Sequence, residues 1–218
     1  MEYNLIRSRR RTLAIHITKD GELEVRAPLK LSVKVIEDFI LKKQDWIEKQ
    51  VTRVRNNAVI QKAFTEGEEF LYLGESYILE FSDILKSTVE LHGKLYIAPK
   101  HSHHVQKVLY SWYKKEALQV ITDRVEQYSA ATGLQVKAIR LSNAKQRWGS
   151  CSPKGYVNFS WRLIMAPLEI IDYVVVHELV HLKHHDHSKA FWHKVESIIP
   201  DYKSRRKWLK ENSHNLTM

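Results

Sequence analysis

The 218-residue sequence holds one cysteine, Cys151, so an intramolecular disulfide is excluded and a reducing cytoplasm is the expected setting. Glycine and proline number only seven and five, and nothing in the composition suggests a fibre or a disordered chain. Long hydrophobic runs are missing: stretches such as Tyr173-Val174-Val175-Val176 fall far short of the roughly 18 residues a membrane span needs. No membrane partner is expected. The opening residues, Met1-Glu2-Tyr3-Asn4-Leu5-Ile6-Arg7, lack both an apolar segment and a small-residue cleavage site, so no secretory signal is read there. Acidic residues are in deficit, 25 against 35 Lys and Arg, and the net charge of +10 favours anionic partners: nucleic acid, nucleotides, phospholipid surfaces or acidic peptides. The basic residues are scattered, with local densities at 7–11, 42–43 and 203–207, so most of them are expected on solvated faces.

What the sequence does have is a 44% hydrophobic content, enough to bury a core in one or two domains. Leu13, Ile15 and Ile17 alternate with polar neighbours. Lys19-Asp20-Gly21 then precedes a second alternating run through Leu23 and Val25, which predicts a hairpin. From Ser32 the period lengthens: Val35, Ile36, Phe39, Ile40, Ile47, Val51 and Val54 predict one amphipathic helix to about residue 55. Hairpin turns are expected at Leu73-Gly74-Glu75 and His92-Gly93-Lys94. Residues 100–104 read as a linker before a long helix ending at Gly133. Two strands, 136–141 and 156–161, flank a loop, Pro167 opens a helix, and Ser188 caps the next one. The expected domains are a β-rich region with one helix over 1–100 and a catalytic domain over 101–218.

Six of the twelve histidines lie between residues 174 and 193, and among them stands His177-Glu178-Leu179-Val180-His181. Two histidines four apart on a helix project from one face and can converge on one ion, which suits zinc. Glu178, turned about 100° around the helix, can reach water at the metal without ligating it. About 0.05 chance occurrences of His-Glu-x-x-His are expected in such a composition, so the apolar helical context is what gives the motif its weight. A catalytic zinc needs a third protein ligand and an open position. His184 lies about 10.5 Å along the helix from His177, too far to share the ion. His187, after a break and just before Ser188, is preferred; Glu196 on the following helix is the competing candidate.

The sequence resembles the YgjP-like metal-dependent hydrolases, relatives of the SprT and WLM zincin metallopeptidases. The resembling residues are Gln146-Arg147-Trp148-Gly149-Ser150-Cys151, Asn158, Pro167, the run 172–182, His187-Ser188, Phe191-Trp192 and Pro200-Asp201-Tyr202. The match is close in the second half and general in the first. It implies a zincin-like core with His177, His181 and His187 as zinc ligands and Glu178 as catalytic acid and base. Metzincins also place a third histidine ten positions after the first, but they need glycine where this chain has His184. The relatives act as proteases on DNA-associated proteins, and a nucleoside triphosphate pyrophosphatase label, of the UTP pyrophosphatase kind, also attaches to YgjP-type proteins.

Arg147 and Trp148 are candidate substrate-binding residues in a loop between strands, with a purely structural loop as the alternative. Cys151 has no base and orienting group in the pattern and reads as a buried or loop thiol. His101, His103 and His104 read as a solvated linker, and Phe191 and Trp192 as packing between helices. The sequence therefore predicts an α+β protein, an N-terminal β-rich region followed by a zincin-like metallopeptidase domain. The expected activity is zinc-dependent hydrolysis with one catalytic Zn2+. Proteins or peptides are the leading substrate. The alternatives are nucleoside triphosphate hydrolysis at the same metal, and a basic nucleic-acid-binding module with a structural zinc.

Overall fold

The structure is a computed structural model describing residues 2–18, 20–56, 62–145 and 147–218. It is mixed α and β, in two compact units, Met1–Ile60 and Gln61–Met218. In the first unit, β1 (Asn4–Ser8), β2 (Ala14–Ile17) and β3 (Leu23–Pro28) form a sheet of order β1-β3-β2, with β1 parallel and β2 antiparallel to β3. Leu23, Val25 and Ala27 alternate inward and are buried with Ile36, Ile40 and Ile47 of the two helices that follow. The hairpin expected around Lys19-Asp20-Gly21 is the β2–β3 pair, although Lys19 itself lies outside the described residues.

Where one helix is predicted over 32–55, two are found: α1 (Val33–Lys42) and α2 (Gln44–Asn56). Ser32 caps α1 by accepting from the Val35 N–H, and Lys43 ends it, its N–H donating to the Ile40 and Leu41 carbonyls. The break carries no glycine or proline, so the apolar spacing runs across it undisturbed.

The second unit begins with β4 (Glu69–Tyr72), β5 (Glu75–Phe81), β6 (Val89–Leu91) and β7 (Leu95–Ile97), in the order β4-β5-β7-β6. Both predicted hairpins, β4–β5 and β6–β7, are antiparallel pairs. Residues Pro99–His104 form a 3₁₀ turn that runs straight into α3 (Val105–Thr132), which stops at Gly133 in the left-handed conformation. On α3 every fourth residue from Val105 to Ser129 is buried. A second sheet, β8-β10-β9, follows from β8 (Ala138–Ser142), β9 (Gly149–Cys151) and β10 (Tyr156–Ser160), with β8 parallel and β9 antiparallel to β10. A 3₁₀ turn over Trp161–Met165 then leads to α4 (Leu168–Val180), α5 (Lys189–Ile198) and α6 (Tyr202–Asn212). Among the described residues no helix is long and apolar enough to cross a membrane.

The division falls at 60/61, whereas the sequence places it at 100/101, and the packing explains the difference. Phe70, Leu79, Val89, Leu95 and Ile97 of the four-stranded sheet share one core with α3, α4 and β10. The β4–β5 turn is stitched to the approach of α4: Leu73 and Gly74 donate N–H groups to the carbonyls of Ile164 and Met165, at 2.8 and 3.2 Å. Gly74, at φ +87°, lies so close to Pro167 that a Cβ would sit 2.8 Å from its ring. Tyr113 of α3 donates its hydroxyl to the Leu71 carbonyl at 2.7 Å. Arg124 of α3 grips the buried Asp172 of α4 through both carboxylate oxygens, which fixes the helix bearing the histidine motif.

Candidate functional site

Helix α4 is apolar all round, with Val174, Val175, Val176, Leu179 and Val180 buried, so its motif residues are fixed in a dry wall. His177 lies in the last turn and His181 is the C-cap, where the chain leaves the helix. The following turns return the backbone so that His187 comes back over His177, their Nε2 atoms 3.1 Å apart. One ring nitrogen from each of His177, His181 and His187 lies within 4.8 Å of the others. Two nitrogens each about 2.05 Å from a tetrahedral ion would be about 3.3 Å apart, so the 3.1 Å between His177 and His187 fits a shared metal. No fourth His, Cys, Asp or Glu joins the group among the described residues.

The rings are held from behind. His181 Nδ1 lies 2.9 Å from the His184 carbonyl, which fixes the N–H there and leaves Nε2 as the free lone pair. Phe191, fully buried, has its ring centroid 4.9, 4.6 and 4.8 Å from those of His177, His181 and His187. Trp192 stacks on His187 at 5.6 Å, and Tyr202 stacks on Trp192 at 5.3 Å. Ser188 fixes the start of α5 by accepting from the Phe191 N–H. Burial first, and then the charges of His181, His187 and Arg206, press the His177 pKa down to about 3, so its imidazole is neutral and able to bind a cation. Burial also lowers His181.

Glu178 is 4% exposed and its Oε2 has no hydrogen-bond partner. Desolvation lifts its pKa to about 8, against a smaller downward pull from Arg147. A buried carboxyl left unpaired is costly unless a cation or substrate completes the site. Strand β9 seals it: a Cβ on Gly149 would lie 2.4 Å from Glu178 Oε1 and 2.6 Å from its Cγ. Gly149→Ala is therefore expected to displace Glu178 and to destabilise the chain by about 1–3 kcal/mol. Hydrolysis that depends on Glu178 should be lost, while any metal bound at the histidine cluster should remain. Wild-type turnover in that variant, measured at matched metal content, would contradict the placement.

Two of the shifted groups, Glu178 and His177, also set how a chelated chain responds to pH. Glu178 binds its proton more tightly folded than unfolded, so its contribution is full below about 4.5 and is lost as pH rises to about 8. His177 works oppositely: its contribution is full above about 6.5 and is lost as pH falls toward about 3. Between 6.5 and 8 only the Glu178 loss remains. The melting temperature of the metal-free chain should fall across that interval, and Glu178→Gln should flatten the fall. Equal slopes in the two proteins would contradict the uncompensated carboxyl.

The remaining candidates are scattered. Arg147 is exposed, and its charge is felt by Glu178. Trp148 is half-buried against the core, its carbonyl accepting from the Ser160 N–H at 2.9 Å. Gln146 lies outside the described residues. Glu196 stays apart from the histidines and pairs with Lys203 at 3.2 Å. The Cys151 thiol is raised by burial and then by the charge of Glu178, so it is not poised as a nucleophile. His101 and His104 are not in the histidine cluster. Sequence reading missed β9 as a strand, the seat of Gly149 against Glu178, and the His184 carbonyl, a backbone contact with no residue-type signature. The glycine did stand in the quoted motif, and its place beside a buried carboxylate is what only packing reveals.

A dry helix presenting two imidazoles, a third imidazole folded back over them and an adjoining unpaired carboxyl make up the equipment of metal-dependent hydrolysis. Over residues 11–212 the chain matches the family model described as YgjP-like, metallopeptidase domain, and it belongs to the YgjP-like family. It is thus a metal-dependent hydrolase of the metallopeptidase kind. Among solved structures, the crystal structure of the metallopeptidase zymogen abylysin from Pyrococcus abyssi is 28% identical over 41% of this chain and 93% of that one, with a TM-score of 0.38. No curated protein matches the chain.

Proposed function

We propose that the chain is a zincin-like, zinc-dependent peptidase in which His177, His181 and His187 hold one zinc ion and Glu178 is the general base. The observation that carries this reading is the convergence of three imidazoles beside a buried carboxyl that has no partner. Three nitrogen donors with no fourth protein ligand among the described residues suit a catalytic zinc rather than a closed structural one, which counts against the nucleic-acid-binding module. Zinc, when bound, supplies Lewis acidity, which acidifies water and polarises the bond to be cleaved.

The chain's own residues do the rest. Glu178 keeps a high proton affinity because it is desolvated, so it can accept a proton from water at a carboxylate oxygen and return it to the leaving amine. His184 holds His181 in the tautomer that offers Nε2. Phe191 and Trp192 brace the rings. The cations whose charge reaches these groups are Arg147, at Glu178, and Arg206, at His177. Three phosphates normally require several converging cations and Mg2+, whereas a neutral peptide needs little beyond the metal and the base, which favours peptides.

The test offers the zinc-loaded chain casein-like protein and nucleoside triphosphates side by side, with Glu178→Gln as control and Arg147→Ala as a probe. Peptide cleavage that vanishes in Glu178→Gln and survives in Arg147→Ala is expected. Triphosphate hydrolysis that collapses in Arg147→Ala, with protein left intact, would overturn the peptidase reading in favour of the pyrophosphatase.

A further inference from the structure

A cavity of about 680 Å³ lies within the 61–218 unit between the start of β6, the 3₁₀ turn before α3 and one face of α3, and it shares no residue with the histidine cluster. Its volume is in the range of small-molecule sites. On α3 it is lined at 107, 108, 111, 112, 115 and 116, the three- and four-residue steps of a single helical face.

Two lysines against one carboxylate give the lining a positive balance. Lys107 and Lys115 are exposed, and neither is in an ion pair among the described residues. His101 and His104 add ring N–H donors, and Thr88 adds a hydroxyl from the strand side. The one carboxylate on the lining, Glu116, already accepts the Tyr72 hydroxyl at 3.2 Å. The first turn of α3 contains no acidic residue, so its peptide dipoles reinforce the positive field. Beside these donors Val108 and the half-buried Trp112 give an apolar wall, and Trp112 is braced edge-on by Tyr113 at 5.0 Å. Lysine pairs alone are ordinary solvated surface; two free lysines and two imidazoles around a concavity with an indole wall are a recognition chemistry.

We infer that this cavity binds a small phosphate-bearing molecule, with Lys107, Lys115, His101 and His104 around the phosphate and an apolar or aromatic moiety against Val108 and Trp112. The site is independent of the proposed peptidase chemistry. It also gives nucleotide-like ligands a place to bind without being substrates, so nucleotide affinity and nucleotide hydrolysis are separable in this protein.

The test is calorimetric titration of the full chain with phenyl phosphate and with inorganic phosphate, zinc-loaded in wild type and in Lys107→Gln/Lys115→Gln, and without zinc in His177→Ala. Phenyl phosphate should bind with a Kd of about 1 mM or tighter, and more tightly than inorganic phosphate. Loss of two charge-assisted contacts should weaken it at least about tenfold in the double lysine variant. That variant should keep its zinc and its peptide hydrolysis, since both lysines are exposed and lie outside the histidine cluster, and His177→Ala should keep the phenyl phosphate affinity. No binding, binding unchanged in the lysine variant, or binding abolished by His177→Ala would overturn the inference. The last result would assign the anion to the histidine site.

Discussion

Glu178→Gln is expected to lower hydrolysis by about 10² to 10⁴ while zinc stays at one per chain. The amide keeps the shape of a side chain that is 4% exposed and pressed against Gly149, so the fold has no reason to change. It cannot accept a proton, and general-base assistance is the role at stake. In wild type that role depends on burial, which lifts the carboxyl to about 8. A bound cation would pull it back toward neutrality, where a general base is most effective. Steady-state kinetics on a cleaved peptide, normalised to zinc content, check the expectation. Turnover within a few-fold of wild type would remove Glu178 from the chemistry.

The second large effect is expected on metal affinity. His177→Ala, His181→Ala and His187→Ala should each weaken zinc binding by more than about 10²-fold, since even residues that only orient a ligand are worth 10–100-fold. The three variants differ in what else they disturb. His177 is packed among Tyr173, Phe191 and Trp192, so its loss also leaves a void. His187 is exposed, so His187→Ala separates the metal contribution from the fold. Its melting temperature without metal should match wild type, and the stabilisation that zinc adds to wild type should disappear. Glu196→Ala should keep its zinc, because Glu196 is engaged with Lys203 away from the cluster. Elemental analysis after dialysis reads all four variants. Full zinc in His187→Ala together with loss in Glu196→Ala would reassign the third ligand.

The legible parts of this molecule were those written in local spacing. The long helical pattern after residue 104, closed by Gly133, marked α3, and Ser188 marked the start of α5. His177 and His181 were legible because helix geometry alone puts them on one face. His187 needed more: its approach to His177 depends on a turn after His181 that no periodicity encodes, so spacing left Glu196 open as well. The split between α1 and α2 at Lys43 left no trace because the break uses no special residue. The sequence places the domain boundary at 100 and the packing divides the chain at 60/61, because in sequence the β4–β5 hairpin looks like the β2–β3 hairpin before it. Its allegiance to the second unit lies in long-range contacts, the Leu73 and Gly74 hydrogen bonds and the seat of Gly74 on Pro167. The raised carboxyl of Glu178 was invisible for the same reason, being a property of its burial, with Gly149 packed against it.

The most direct test of the account is X-ray absorption spectroscopy of the zinc-loaded chain, compared with the same measurement on His187→Ala. The account predicts three imidazole nitrogens at about 2.0–2.1 Å and no fourth protein ligand, with one imidazole fewer in the variant. A sulfur or fourth protein ligand closing the shell, or an unchanged imidazole count in His187→Ala, would contradict it.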